Sequence, residues 1–216
     1  MIPRYYLYKF GQFLTDRLSL KASYGIAVFF SNLHYYLSWR DRRSVKNNLK
    51  YIVADGENIS RLAKGVFLNF GKYLADFFRM IRVLDRDYIA RTVTILNREY
   101  IDEVLQNGKG GILLTAHMAH WEMGAVVLSV LGYPLVVLAL PHREKRVNDL
   151  FNFQREAKGM TVIQTNTAVR RCVEALKDNK LVALAADRDF TLNGEPLDFF
   201  GKKTLIPKNP INPHQF

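Results

Sequence analysis

Between residues 92 and 186, short apolar or β-branched runs alternate with amphipathic stretches, and this alternation restricts the fold more than any other feature of the chain. The runs at 92–96, 111–116, 135–140, 161–164 and 181–186 read as strands. The stretches at 100–106, 121–131, 144–158 and 167–178 read as helices. Helix punctuation agrees: Asn107-Gly108, Gly132 with Pro134, and Gly159 follow the first three, and Asn166 or Thr167 caps the fourth. Such alternation predicts an α/β fold with a mixed, mostly parallel sheet flanked by helices. Ligands of these sheets bind beyond the carboxyl ends of the strands. His117, then His142 and Arg143, then Asp187, Arg188 and Asp189 fall at such ends.

The segment before this region differs in kind. Residues 1–50 hold nine Lys or Arg against Asp16 and Asp41. The whole chain carries a formal charge of +11. Tyr5, Tyr6, Tyr8, Phe10, Phe13, Phe29, Phe30, Tyr35, Tyr36 and Trp39 are interleaved with those cations. A basic surface attracts phosphate, on nucleic acid or on anionic lipid. Rings and aliphatics among cations suit a lipid interface, whereas nucleic acid needs no such apolar surface. The expectation is therefore an anionic membrane lipid as partner and no nucleic acid. An ordinary helix covering the core is the plainer alternative. Residues 22–39 carry no formal charge but include Ser23, Ser31, Asn32, His34 and Ser38. They read as a single pass at the lower limit of length, or as an in-plane anchor. The basic cluster from Arg40 to Lys50 would place the rest of the chain on the cytoplasmic face of a membrane. The expected organisation is a helical, membrane-associating segment over 1–50 and an α/β domain over 51–216. Within the latter, Leu62, Val66, Phe67, Phe70, Tyr73, Leu74, Phe77, Phe78 and Ile81 recur at steps of three and four, predicting an amphipathic helix over 60–83.

One local pattern suggests chemistry. His117-Met118-Ala119-His120-Trp121-Glu122 is His-x4-Glu. On one helix the two side chains would lie roughly 140° apart. They come together if His117 ends a strand and Glu122 opens the next helix, at the end where the helix dipole favours a carboxylate. Glu122 then orients the imidazole, whose other nitrogen serves as a base toward a hydroxyl. Two other readings stand beside it: a hydrogen-bonded loop histidine, and a cation shared by His117, His120 and Asp187 or Asp189. Cys172 is the lone cysteine, so an intrachain disulfide and a cysteine-based metal site are excluded. No pattern implies a resident metal or redox cofactor.

The block from Thr115 to Gly124 resembles the His-x4-Asp/Glu block of the lysophospholipid acyltransferase superfamily, in its bacterial lipid A biosynthesis (lauroyl/myristoyl) branch. The basic leader with Asn47-Asn48-Leu49, the set Arg143, Asn148, Arg155 and Gly159, and the set Asp187-Arg188-Asp189-Phe190, Gly194 and Phe199-Phe200-Gly201 resemble further blocks in the right order. The resemblance implies transfer of a fatty acyl group from an acyl-carrier-protein or coenzyme A thioester to a hydroxyl of a phosphorylated glycolipid, at the inner membrane of a bacterium. His117 would be general base and Glu122 its orienter. Arg143, Asn148, Arg155, Asp187, Arg188 and Asp189 would bind substrate, because Arg is suited to phosphate. The chain departs from the family where Ile206-Pro207-Lys208 meets Asn209-Pro210 in place of glycine, and His214 in the tail has no assigned role. That departure motivates an alternative: a catalytically incomplete lipid-binding protein of the same fold.

Overall fold

The computed structural model describes residues 4–164, 168–189 and 194–207. The proposed caps Asn166 and Thr167, together with Phe190, Asn209, Pro210 and His214, lie outside that set. Internal contacts divide the chain into two units: residues up to Arg79 with Leu197–Thr204, and Met80–Pro196 with the residues from Leu205.

The first unit is helical, and it reaches past residue 50. Helices α1 (Arg4–Arg17), α2 (Leu20–Leu37) and α3 (Trp39–Ile52) precede α4 (Ile59–Val83), whose residues up to Arg79 belong here. Ser19 caps α2 by accepting the Ala22 N–H. Ser38 breaks the chain between α2 and α3 and donates from its hydroxyl to Asp41 at 2.6 Å. The expected amphipathic face of α4 splits in two. Phe67, Phe77 and Phe78 are buried, whereas Val66 and Phe70 stay exposed. Gly71 explains how closely α2 and α4 approach: a Cβ there would stand 2.0 Å from Ser31 Oγ and 3.1 Å from the Ala27 carbonyl. The Tyr24 hydroxyl adds a tie, donating to both carboxylate oxygens of Asp76 at 2.8 Å. Between α1, α2 and α4 lies an open apolar groove of about 590 Å³, floored by Phe78 and rimmed by Leu7, Phe10 and Phe30.

No helix among the described residues is long and apolar enough to cross a membrane. The single pass expected for residues 22–39 therefore does not hold. Its physical reason is in α2 itself, where Ser23 and Ser31 are buried toward α4 and Asn32 and His34 interrupt the apolar run.

The second unit is α/β. Helices α5 (Arg86–Thr92) and α6 (Glu99–Gln106) lead into β1 (Gly111–Thr115), α7 (Trp121–Val130), β2 (Leu135–Ala139), α8 (Lys145–Glu156), β3 (Thr161–Gln164), α9 (Ala168–Lys177) and β4 (Leu181–Ala185). A strand over 92–96 does not form. Asp85 accepts the Tyr88 N–H, starts α5, and the helix carries through Thr92. The four remaining strands pair in the order β1-β4-β2-β3, every pair parallel, so this sheet is not mixed. Its central strands are near-continuous apolar runs, as burial on both faces requires. Leu135, Val136, Leu181 and Val182 are 1–2% exposed. A separate pair, β5 (Glu195–Phe199) and β6 (Lys202–Ile206), whose residues Leu197–Thr204 belong to the first unit, is joined by only Phe200 and Gly201. A two-residue connection makes it an antiparallel hairpin.

Gly110 sets the start of β1. Its φ is +65°, and a Cβ there would meet the Lys180 carbonyl at 2.6 Å and the Leu176 carbonyl at 2.8 Å. Both obstacles are backbone and cannot rotate away. Gly110→Ala is expected to lower stability by about 1–3 kcal/mol from the left-handed backbone, with the overlap in addition. Urea denaturation reads this as a lower midpoint at unchanged slope; an unchanged midpoint would refute it.

Candidate active site

The register of β1 against β4 builds the site. Thr115 pairs with Ala185, and the Ala186 N–H donates to the Thr115 carbonyl at 3.0 Å. His117 and Asp187 each stand two residues past those partners, so the two turns leave adjacent strand ends side by side. His117 Nδ1 lies 2.8 Å from Asp187 Oδ1. The two side chains are about a third exposed, which leaves the ring within reach of a ligand. The Trp121 ring packs edge-to-face on the imidazole, with centroids 4.9 Å apart.

Charge fixes the proton's position in this pair. Burial alone would push the Asp187 carboxyl up. The His117 ring, the backbone N–H groups of His117 and Asp187, and the charge of His117 outweigh it and hold the carboxyl below the usual carboxylate range. An ionised carboxylate only accepts, so the proton between the two belongs to Nδ1. In the neutral ring Nε2 then carries a lone pair, and no described residue hydrogen-bonds to it. This is the electronic state a general base needs.

The turn from β1 to α7 is tight. The Met118 N–H reaches back to the Ala116 carbonyl at 2.7 Å, and Ala119 sits at φ +49°. Backbone of this kind is uncommon for a residue with a Cβ and concentrates at functional sites. His120 then caps α7, its Nδ1 accepting the Met123 N–H.

Glu122 follows in the first turn of α7, as its position in the sequence implies, but its partner is not His117. The buried carboxylate receives Arg155 of α8 in a two-pronged contact, Nε to Oε2 at 2.9 Å and Nη2 to Oε1. Each side chain is 11% exposed. Arg155 Nη1 also donates to Asn152. The pair joins α7 to α8 beside the site. The expected orientation of the imidazole by Glu122 is thus replaced by Asp187, 70 residues further along the chain. The cause is tertiary: strand register, not local spacing, decides which carboxylate meets the ring.

The remaining candidates spread over the same edge of the sheet. Asn148 is buried and accepts the His142 N–H at 3.1 Å, which fixes the turn after β2. Arg143 is exposed on that turn, and Arg188 is exposed on the turn after β4. Asp189 accepts the Gly194 N–H at 2.8 Å. Gly194 must be glycine, since a Cβ would stand 2.5 Å from the Ile206 carbonyl. One contributor had no signal of its own in the sequence. Trp121 was legible only as an apolar helix residue. The His142 ring lies on Phe151, and desolvation there, then the charge of Arg155, push its imidazole below the ordinary value against the opposing pull of Glu122. Among the described residues, no group of three or more His, Cys, Asp or Glu is placed to hold a metal ion.

Comparison with known proteins bears on the whole chain. Residues 1–211 match the family model described as bacterial lipid A biosynthesis acyltransferase. A phosphatidylinositol mannoside acyltransferase of Mycolicibacterium smegmatis is 26% identical over 153 residues, 69% of this chain and 50% of that protein. The protein of the same name from Mycobacterium tuberculosis H37Rv is 26% identical over 147 residues, 66% of this chain and 46% of that protein. The chain spans about half the length of these curated relatives. It belongs to the bacterial lipid A biosynthesis acyltransferase family.

Proposed function

We propose that this family member transfers a fatty acyl group from a carrier thioester, acyl-carrier protein or coenzyme A, to a hydroxyl of a phosphorylated glycolipid such as a lipid A precursor. His117 is the general base and Asp187 orients it. The observation that carries this reading is the 2.8 Å contact of His117 Nδ1 with Asp187 Oδ1 at neighbouring strand ends. Nε2 takes the proton of the acceptor hydroxyl as its oxygen attacks the thioester carbonyl. The new C–O bond forms, the carbonyl becomes an oxyanion, and the imidazolium is held by Asp187. Collapse breaks the C–S bond, and the proton passes from Nε2 to the departing thiolate. Atoms and charge balance without a further reagent.

Arg143 and Arg188 supply cations on the exposed turns, suited to phosphates of the acceptor or carrier or to the oxyanion. Glu122 and Arg155 hold the start of α7, and with it the Trp121 ring, in place. The helical unit meets the anionic cytoplasmic face of a bacterial inner membrane. Leu7, Phe10, Phe29 and Phe30 remain exposed there among the N-terminal cations, and exposed apolar side chains beside Lys and Arg favour that surface.

The test is a thiol-release assay with the purified chain, an acyl-carrier-protein or coenzyme A donor, and a phosphorylated glycolipid acceptor. Release that depends on acceptor is the expected result. A folded, vesicle-bound chain that releases no thiol with any donor and acceptor pair would overturn it in favour of a lipid-binding protein without turnover.

A further inference from the structure

The turn of the β5–β6 hairpin holds two aromatic rings in solvent, in a conformation that disfavours one of them. Phe199 and Phe200 are 54% and 58% exposed and meet edge-to-face, with centroids 4.7 Å apart. Phe200 and Gly201 form the connection, with φ of +52° and +71°. Two left-handed residues in succession make the tight turn that matches strand twist, and Asn-Gly is the pair best suited to it. A bulky side chain in the first of those positions is an outlier. The Asp198 carboxylate accepts the Gly201 N–H at 2.9 Å and helps to hold the turn. The ring of Phe200 is thus kept at a place where folding alone favours a small polar residue.

Cations follow these rings in the chain. Lys202 and Lys203 follow at once, both exposed. Lys202 Nζ lies 4.1 Å from the Tyr51 ring centroid, which ties the tip to the end of α3. Tyr51 and Ile52 are themselves exposed. Helix α3 carries Arg40, Arg42, Arg43, Lys46 and Lys50 against Asp41 alone. Rings at a projecting tip, with long cationic side chains beside them, match the composition of segments seated at a lipid–water interface. The excess positive charge selects an anionic surface.

We infer that the hairpin tip is a membrane wedge: Phe199 and Phe200 enter the acyl region of an anionic bilayer while Lys202, Lys203 and the cations of α3 engage lipid phosphates. This surface joins the tip to the end of α3 and does not depend on the acyl-transfer chemistry.

The test uses the full chain and vesicles of phosphatidylglycerol with phosphatidylcholine. Phe200→Asn is the informative variant, because Asn relieves the turn while removing the ring, so loss of binding cannot be loss of fold. Its circular dichroism is expected to be unchanged and its thermal midpoint equal or higher. In high salt, where headgroup attraction is screened, its partitioning is expected to fall at least about tenfold, the lower end of what burying one Phe ring provides. The indole introduced by Phe199→Trp is expected to be quenched by bromine-labelled acyl chains beyond the background from Trp39 and Trp121 in the parent protein. High-salt binding of Phe200→Asn equal to that of the parent overturns the wedge. So does an unquenched indole in a protein that sediments with vesicles, or absence of vesicle binding altogether. A parent dimer that Phe200→Asn converts to monomer with no change in vesicle binding also overturns it, and assigns the tip to a second copy.

Discussion

His117→Ala is expected to lower the turnover of acyl transfer by about 10²–10⁴-fold, the contribution of a positioned general base. The Michaelis constants for donor and acceptor should move little, because the ring is about a third exposed and makes its contacts with Asp187 and Trp121 rather than with a binding groove. Asp187→Asn separates orientation from basicity. An amide facing Nδ1 is free to donate, which turns the ring to the tautomer whose Nε2 carries the proton, and the base is lost without loss of shape. A reduction of roughly 10²-fold or more follows from triad chemistry of this kind. The variant also has a stability signature. The Asp187 carboxyl is held below its usual range in the folded protein, so the unfolded chain binds the extra proton as pH falls. Its contribution is present above the unfolded carboxyl value near 3.9 and is lost as pH drops through the lower folded value. Acid unfolding of the parent should therefore be steeper below about pH 4 than that of Asp187→Asn. Full activity in His117→Ala would remove the histidine from the mechanism. Full activity in Asp187→Asn, with the acid limb flattened as expected, would leave Asp187 a structural partner only.

Local signals in the sequence carried the architecture well and the pairing of side chains poorly. Helices α6, α7 and α8 end shortly before the glycines that mark them, and the apolar runs at 111–116, 135–140, 161–164 and 181–186 form the parallel sheet. The position of His117 at a strand end followed from the same reading. Its carboxylate did not. Spacing favoured Glu122, five residues away, but whether a side chain at the start of α7 turns toward the strand end or toward α8 depends on what α8 offers. Arg155 is there, and two parallel hydrogen bonds from a buried guanidinium outweigh one from an exposed imidazole. Asp187 was legible as a strand-end acid, and only the order β1-β4 brings it to His117. The run at 92–96 shows the opposite failure: β-branched content suggested a strand, but Asp85 starts a helix that includes Thr92. The hairpin had no readable turn, since Phe-Gly is not among the pairs that mark one.

Arg155→Ala is expected to cost about 3–5 kcal/mol, the penalty for leaving one member of a buried ion pair alone. At roughly 2–4 °C per kcal/mol for a chain of this size, the thermal midpoint falls by about 6–20 °C. Glu122→Gln is milder, because the amide still accepts one hydrogen bond from Arg155. The two are separated from catalysis by a third variant. Replacing the pair with apolar residues of similar volume, Glu122→Leu with Arg155→Met, removes both buried charges at once and is expected to restore most of the lost stability, since such replacements are often neutral or better. The non-additivity of the singles and the double is itself the measure of coupling. If the double variant folds and still transfers acyl groups, Glu122 serves α7–α8 packing, and the ring of His117 is oriented by Asp187 alone. If it folds at parental stability but turns over slowly with unchanged substrate affinity, Glu122 and Arg155 are positioning residues that act through Trp121, whose ring rests on His117. Glu122 stands next to Trp121 in the first turn of α7, so a small rotation of that turn moves the indole that packs the imidazole. Only the second outcome gives the His-x4-Glu spacing a catalytic meaning in this chain, and it would do so through the helix start rather than through a hydrogen bond to the ring.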